Sequence, residues 1–382
     1  MSALQNKLAR AKDALYLGSH KVGRGHAPYF IAEIGNNHNG DFFLAKRSIE
    51  EAAKAGAHAV KFQKRSIPDV FAKELRDKPQ TKEEIRGKTY GEYREGLEFS
   101  FDEFVRLKEI AEFNKVAFFA TPFDIPSVDF LEKVGIPFYK IASFDVTNLP
   151  LLDYVARTKK PIILSTGTAS LEEIDEAVST ILQHHPLLAI LHCVSVYPSP
   201  DELINLSSIK ALERRYSPLP IGYSGHEQDI FPSIASIILG ASIIERHFTL
   251  SKKLPGPDHA SVSIEPSLFA DMVATAGRTR KLLGSSRKVI LEEEKGARDK
   301  HGKSVVAAVA IPKDTVITKN MLTVKSPGYG IRPRDLALLI GKQVLVDIDE
   351  DTVIRREDIA WSADTVQKIT SRTTRKKKKT AR

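Results

Sequence analysis

Residues 30–63 read FIAEIGNNHNGDFFLAKRSIEEAAKAGAHAVKFQ. Phe30–Glu33 and Ala59–Phe62 are short apolar runs of strand character. Between them, Phe43–Ala55 sets its apolar residues at the three-to-four spacing of an amphipathic helix. This strand–helix–strand unit recurs along the chain. Further strands are expected at Ala117–Ala120, Phe138–Ile141, Ile162–Ser165, Ala189–His192, Pro220–Tyr223 and Ser242–His247. Helices are expected at Phe101–Asn114, Ser127–Val134, Leu149–Thr158, Leu171–Gln183, Leu203–Arg214, Ile230–Leu239 and Ser267–Leu283. Eight strands, each followed by a helix, are the footprint of an α/β fold of the (β/α)₈ or TIM-barrel type, about 250 residues long. An open doubly wound sheet is the alternative.

Working outward, two departures from the alternation stand out. Lys64–Ser100, after the second strand, is too long and too charged for a simple loop and reads as a lid or substrate wall. After Leu283 the alternation stops. The expected organisation is an N-terminal extension and hairpin (residues 1–28), the barrel (29–284) and a charged linker (285–303). A small β-rich domain (304–361) and a basic disordered tail (362–382) follow. The β-rich domain is read from VVAAVAI, PKDTVIT, LTVKSPGYGI and LIGKQVLVDI, and is near the lower size limit for folding alone.

Composition narrows the classes. With 42% hydrophobic and 27% charged residues, the chain can bury a substantial core. The single cysteine, Cys193, excludes an internal disulfide framework and a cysteine-rich zinc site. The longest stretch without Asp, Glu, Lys or Arg, Ala177–Pro200, is interrupted by Gln183 and by His184, His185 and His192, so no membrane span is expected. Met1–Lys21 lacks the apolar core of a signal peptide, and a cytoplasmic location is the expectation. Of the net charge of +9, eight basic residues fall in Lys368–Arg382, leaving +1 for the rest; no nucleic-acid partner is expected.

In a barrel, residues at the carboxyl ends of the strands face the active-site mouth. Here those positions hold Glu33, Lys61 with Gln63, Thr121 with Asp124, Lys140 with Ser143, and Ser165 with Thr166. They continue with His192, Ser195 and Tyr197, then Ser224 with His226, and finally His247. Lys61 and Lys140 suit a dianionic ligand, or else snorkel to solvent. Ser165–Thr168 suits an anion cradle, or else a helix N-cap. His226 and His247, on neighbouring strands, suit one exchangeable divalent ion: Mn²⁺ first, with Mg²⁺ or Co²⁺ as alternatives. Asp258 could orient a ligand or a bound water, or belong to a Pro/Gly turn. Glu33 is a candidate acid, base or substrate-orienting group. The Asn36–Gly40 loop after it either turns the chain or meets sugar hydroxyls.

The strings 30-FIAEIGNNHNG-40, 60-VKFQ-63, 121-TPFD-124, 139-YKIAS-143 and 165-STGT-168 follow one another in order. They continue with 192-HCVSVYP-198, 221-IGYSGH-226, 245-ERHFTL-250 and 255-PGPDH-259. Together they resemble the sialic acid synthase family, which includes N-acetylneuraminate, legionaminate, pseudaminate and spore-coat polysaccharide synthases. Residues 304–359 resemble that family's antifreeze-like (SAF) domain. The resemblance implies a domain-swapped homodimer, each SAF domain covering the partner's active site. It implies condensation of phosphoenolpyruvate with an N-acylated hexosamine, N-acetylmannosamine or a 2,4-diacetamido-trideoxyhexose. The products would be a nine-carbon 2-keto sugar acid and phosphate, released by C–O cleavage. Lys61, Lys140, Ser143, Ser165, Ser195 and Ser224 would hold phosphoenolpyruvate. His226 and His247 would hold the metal, Glu33 would act on protons or water, and Thr121, Asp145, Tyr197 and Asp258 would lie around the sugar or the metal.

The chain departs from the family pattern at Asp145, at Val194–Val196 and at Ser326, where many members carry Arg; Arg332 or Arg334 stands nearby as a substitute. Three rival readings remain. One is a Schiff-base or metal-dependent aldolase on the same barrel, with Lys140 or Lys61 as nucleophile in the first case. Another is a non-catalytic glycan-binding protein. The third, a sister phosphoenolpyruvate–aldose synthase acting on phosphorylated sugars, should lack the SAF domain.

Overall fold

The structure, a computed structural model, describes residues 3–80, 87–256 and 260–361. The chain divides into two compact units after Gly284. In the first, an antiparallel hairpin of β1 (Ala14–Leu17) and β2 (His20–Gly23) precedes eight parallel strands. These are β3 (Tyr29–Gly35), β4 (Ala59–Lys64), β5 (Ala117–Pro122), β6 (Tyr139–Ile141), β7 (Ile162–Ser165), β8 (Leu188–Cys193), β9 (Ile221–Gly225) and β10 (Ile243–His247). They close in the order β10-β3-β4-β5-β6-β7-β8-β9. Closure comes from β10 pairing with β3, His247 opposite Glu33, which excludes the open sheet.

Successive side chains on a strand point to opposite faces. The inward series starts apolar: Tyr29, Ile31, Ala59, Phe119, Phe138, Ile163, Ala189, Leu191 and Ile243 form one buried layer. Leu15, Leu17 and Val22 of the hairpin belong to the same cluster and seal the floor. One step further along, the same face turns polar, giving Glu33, Lys61, Thr121, Lys140, Ser165, Ser224 and Glu245. The opposite parity, including Ala32, Val60, Phe118, Ile141, Leu164 and Ile190, packs under the helices. Helix starts are fixed locally: Asp41 caps Phe42–Lys54, and capping boxes at Ser100 and Ser170 start Phe101–Phe113 and Leu171–His184.

The expected helix Leu203–Arg214 is divided into Asp201–Ile204 and Ser208–Tyr216. Asn205 sits between them in the left-handed conformation (φ 50°), which Asn tolerates and which ends a helix. The insertion after β4 carries the short helices Ile67–Val70, Lys73–Arg76 and Tyr90–Glu95.

In the second unit, the segment expected as a linker contains the helix Lys295–His301. β11 (Ser304–Ala307) pairs antiparallel with β12 (Leu322–Lys325). The other expected strands contribute isolated bridges only, Ile311↔Ile348, Val316↔Gln343 and Val344↔Ile359, because turns such as the one at Asp314 (φ 65°) interrupt them. Val305, Ala307, Ile311, Ile317, Leu339, Val344 and Ile354 form this unit's own core. The basic tail lies outside the described residues. Among those described, no helix is long and apolar enough to cross a membrane.

Candidate active site

The polar inner faces of the strands enclose a cavity of about 270 Å³ at the barrel mouth. At its base lie two lysines and two carboxylates, each at most 6% exposed at the side chain. Lys61 Nζ is 3.0 Å from Glu245 Oε1 and 3.4 Å from Glu33 Oε2, and Lys140 Nζ is 3.5 Å from Glu245 Oε1. The Ser224 hydroxyl donates to the same Glu245 oxygen at 3.2 Å. Burial pushes the Glu33 carboxyl up to about 7, against the pull of Lys61. Burial likewise pulls the Lys140 ammonium down to about 8. Burial opposes ionisation of Glu245 as well, but Lys140 and Lys61 prevail and hold it down to about 2. With Glu33 close to half-protonated near neutral pH, the cluster carries excess positive charge toward the cavity, the field an anion needs.

Hydroxyls complete the anion-binding side. The Oγ atoms of Ser165 and Thr121 are buried without a hydrogen-bond partner, and both residues line the cavity. The Gly167 N–H donates to Ser143 Oγ at 3.0 Å. A Cβ at Gly167 would stand 2.3 Å from Ser195 Oγ and 2.9 Å from Ser143 Oγ, so any side chain there would push both hydroxyls out of place. The N-cap of the following helix is Ser170, so Ser165–Thr168 is not consumed as a cap.

Opposite stand the imidazoles of His226 and His247, with ring centroids 5.4 Å apart. His226 Nδ1 is 2.7 Å from the Val194 carbonyl, so it carries a proton there, and the ring also bonds the Cys193 side chain. His247 Nδ1 is buried without a partner, and burial, then the charge of His226, holds this imidazole neutral. Tyr197 packs 4.0 Å from the His226 ring. Among the described residues, no three His, Cys, Asp or Glu side chains gather as a metal cluster. Burial opposes protonation of His226, but Cys193 and the Val194 carbonyl prevail and raise its pKa. A divalent ion held by the two imidazole nitrogens would therefore displace a proton from His226 and leave the ion's other positions to water and substrate.

A sequence model of the NeuB family matches residues 48–288, and one of the SAF domain matches residues 302–360. The chain belongs to the NeuB family. It is 40% identical over 337 residues to N-acetylneuraminate-9-phosphate synthase of Homo sapiens, covering 88% of this chain and 94% of that one. It is 36% identical to N,N'-diacetyllegionaminic acid synthase of Campylobacter jejuni, covering 85% and 98% respectively. Among solved structures, the N-acetylneuraminic acid synthetase of Leptospira borgpetersenii in complex with citrate superposes with a TM-score of 0.66 at 37% identity. That match covers 74% of this chain and 94% of that one.

Within this NeuB-family barrel, Glu33, Lys61, Lys140, Ser143, Ser165, Ser224, Thr121, Tyr197, His226 and His247 all line one cavity. Ser195 does not line it; it is held behind Gly167. Asp145 sits on the turn Ser143–Asp145, accepts from Asn148 at 3.0 Å and stays outside the lining. Asp258 lies outside the described residues, and Arg332 is an exposed residue of the second unit. His192 has the wrong parity: it faces away from the cavity and bonds the Ile204 carbonyl at 2.7 Å. Of the Asn-rich loop, Asn37 and Asn39 bond the Phe248 and Pro255 carbonyls, so only Asn36 reaches the cavity. Sequence reasoning missed Glu245, Cys193, Arg65 and Arg94 in the lining. The period of two, run back from His247 and on from Lys61, would have found Glu245 and Arg65.

Proposed function

We propose that the protein condenses phosphoenolpyruvate with an N-acylated hexosamine aldehyde, giving a nine-carbon 2-keto sugar acid and phosphate. The observation that carries this reading is the convergence of two buried lysines, a carboxyl of raised pKa and an imidazole pair on one cavity. The names of the relatives, sialic and legionaminic acid synthases, support the same class of product.

Lys61 and Lys140, with Ser143, Ser165 and Ser224, hold the carboxylate and phosphate of the enol phosphate, and this fixes the direction its C3 faces. When bound by His226 and His247, a divalent ion such as Mn²⁺ supplies Lewis-acid polarisation of the aldehyde oxygen. C3 bonds to the aldehyde carbon, and the alkoxide takes up a proton. The cation left at C2 accepts water, whose proton passes to a base. Glu33 turns Oε2 toward Lys61 Nζ at 3.4 Å, and a carboxyl near pKa 7 can hold or release a proton there. The bond from C2 to the phosphate oxygen then breaks, the phosphate leaves with the electron pair and takes up the proton of the C2 hydroxyl, and the 2-keto acid remains. Placing two reactants in one walled cavity supplies much of the rate. The same reading takes the protein as a cytoplasmic homodimer, which sedimentation velocity checks.

The test is phosphate release from phosphoenolpyruvate with Mn²⁺, screened against N-acetylmannosamine, its 6-phosphate and the 2,4-diacetamido-trideoxyhexoses. Release that depends on one of these acceptors and stops with EDTA is the expected result. One observation favours a second reading, a Schiff-base aldolase: the ammonium of Lys140 is pulled down to about 8. Activity that survives EDTA, with Lys140 trapped by pyruvate and borohydride, would establish that reading instead.

A further inference from the structure

The mouth of the barrel holds a second cationic pair. Arg65 follows the last residue of β4, and on the alternating face of that strand Lys61, Gln63 and Arg65 point the same way. Four residues at strand rise place the Arg65 backbone roughly 13 Å nearer the opening than that of Lys61. Arg94 reaches the same wall from helix Tyr90–Glu95 of the insertion.

Both guanidiniums are held but not neutralised. Arg65 is 8% exposed, lies 3.7 Å over the Phe123 ring and donates through Nη2 to Gln63 Oε1 at 2.6 Å. Among the described residues, its Nη1 is buried without a partner, as is Nε of Arg94. The ion pairs of this region use Lys61, Lys64 and Lys140, and among the described residues neither guanidinium enters one. Asp145 feels the charge of Arg65, but its hydrogen bond is to Asn148. Burial, and next the charge of Arg94, pull the Arg65 guanidinium down to about 9. Glu98 and Glu33 act on Arg65 only from beyond ion-pair distance, so a buried guanidinium beside a half-buried one is costly unless an anion joins them, and guanidinium forks suit phosphate oxygens. Neutral sugar hydroxyls would not call for such a pair.

A continuous chain joins the two cationic pairs. Arg65 bonds Gln63, Gln63 Nε2 donates to Glu33 Oε1 at 2.8 Å, and Glu33 faces Lys61 at 3.4 Å. The proposed reacting carbons lie between, at Glu33 and the imidazoles. We infer that Arg65 and Arg94 form a second anion subsite that takes a phosphate monoester at the far end of the acceptor, so that the preferred second substrate is a phosphorylated N-acyl hexosamine. This rests on the synthase reading above for the identity of the acceptor.

Full-length wild type, R65Q, R65K and R94Q are titrated calorimetrically with N-acetylmannosamine 6-phosphate and with N-acetylmannosamine, and compared in phosphate release. Wild type should bind and use the phosphorylated sugar preferentially. R65Q should weaken that binding about 10- to 150-fold, the range for losing one charge-assisted hydrogen bond, with R65K in between. The KM for phosphoenolpyruvate should stay within about threefold. Equal use of both sugars by wild type, equal losses on both sugars in R65Q, or a loss confined to phosphoenolpyruvate would each overturn the inference. If R65Q does not fold, R94Q on the shorter, less buried wall decides in the same way. If no acceptor supports phosphate release, the synthase reading fails, while the calorimetry still decides the subsite.

Discussion

Replacing Glu245 with Gln should make the barrel less stable and yet a better anion binder. The substitution keeps the shape and removes one buried negative charge that Lys61 Nζ approaches to 3.0 Å and Lys140 Nζ to 3.5 Å. Breaking one side of a buried ion pair costs about 3–5 kcal/mol, because the remaining charge keeps its desolvation penalty. For a unit of this size each kcal/mol moves Tm by about 2–4 °C, so E245Q should melt roughly 6–20 °C below wild type. The same deletion removes a repulsive charge from beside an incoming anion. At about 5 Å and an effective dielectric of 20 that repulsion is worth about 3 kcal/mol, or about two decades of affinity. The assay is thermal unfolding across about pH 5 to 6.5, toward the acid side because loss of Glu245 pulls the Lys140 ammonium further down, in a non-phosphate buffer with increasing inorganic phosphate. Phosphate should raise the Tm of E245Q by more than that of wild type. A Tm loss under about 2 °C, or equal phosphate shifts in the two proteins, would refute the reasoning.

Three further outcomes follow from the same geometry. On the proposed reading, His247→Ala should abolish Mn²⁺-dependent phosphate release while moving Tm only slightly, since this strand-end imidazole is not part of the packed apolar layers; a large cooperative loss of Tm would mark His247 as structural. Gly167→Ala puts a Cβ 2.3 Å from Ser195 Oγ and should raise the KM for phosphoenolpyruvate at least tenfold, at a stability cost of about 1–3 kcal/mol; unchanged kinetics would detach that turn from the site. Burial, and then the charge of His20, hold His58 down to about 4, with Nδ1 accepting from the Phe30 N–H at 3.0 Å. Its contribution is intact above about pH 6.5 and is lost as pH falls toward 4. It should amount to about 2 kcal/mol after allowance for partial exposure, seen as a Tm difference between wild type and His58→Asn that changes with pH.

The barrel was legible because its strands are doubly buried and its helices are amphipathic, so the two periods alternate cleanly from Phe30 to Leu283. The site was legible wherever chemistry and strand end coincide, as at Lys61, Lys140 and His247. What the sequence hid was parity and pairing. His192 and Cys193 are neighbours, and only the register decides that Cys193 faces inward. Glu245 looked like one more charge in a motif until closure of β10 on β3 brought it between two lysines from other strands. Arg65 and Arg94 are 29 positions apart and meet only because the insertion folds back over the mouth. The small second unit was overread as regular strands because short β-branched runs look alike whether they form ladders or single bridges.

The β1–β2 hairpin has a consequence for traffic. Leu15, Leu17 and Val22 stopper the far end of the barrel, so among the described residues the two lysines are closed off from behind. On the proposed reading, an anion seated on the two lysines should enter before a ligand lodged nearer the rim and leave after it, an order that product-inhibition kinetics would check. Binding would then be a queue, first in and last out, with its order set by the plug as much as by affinity.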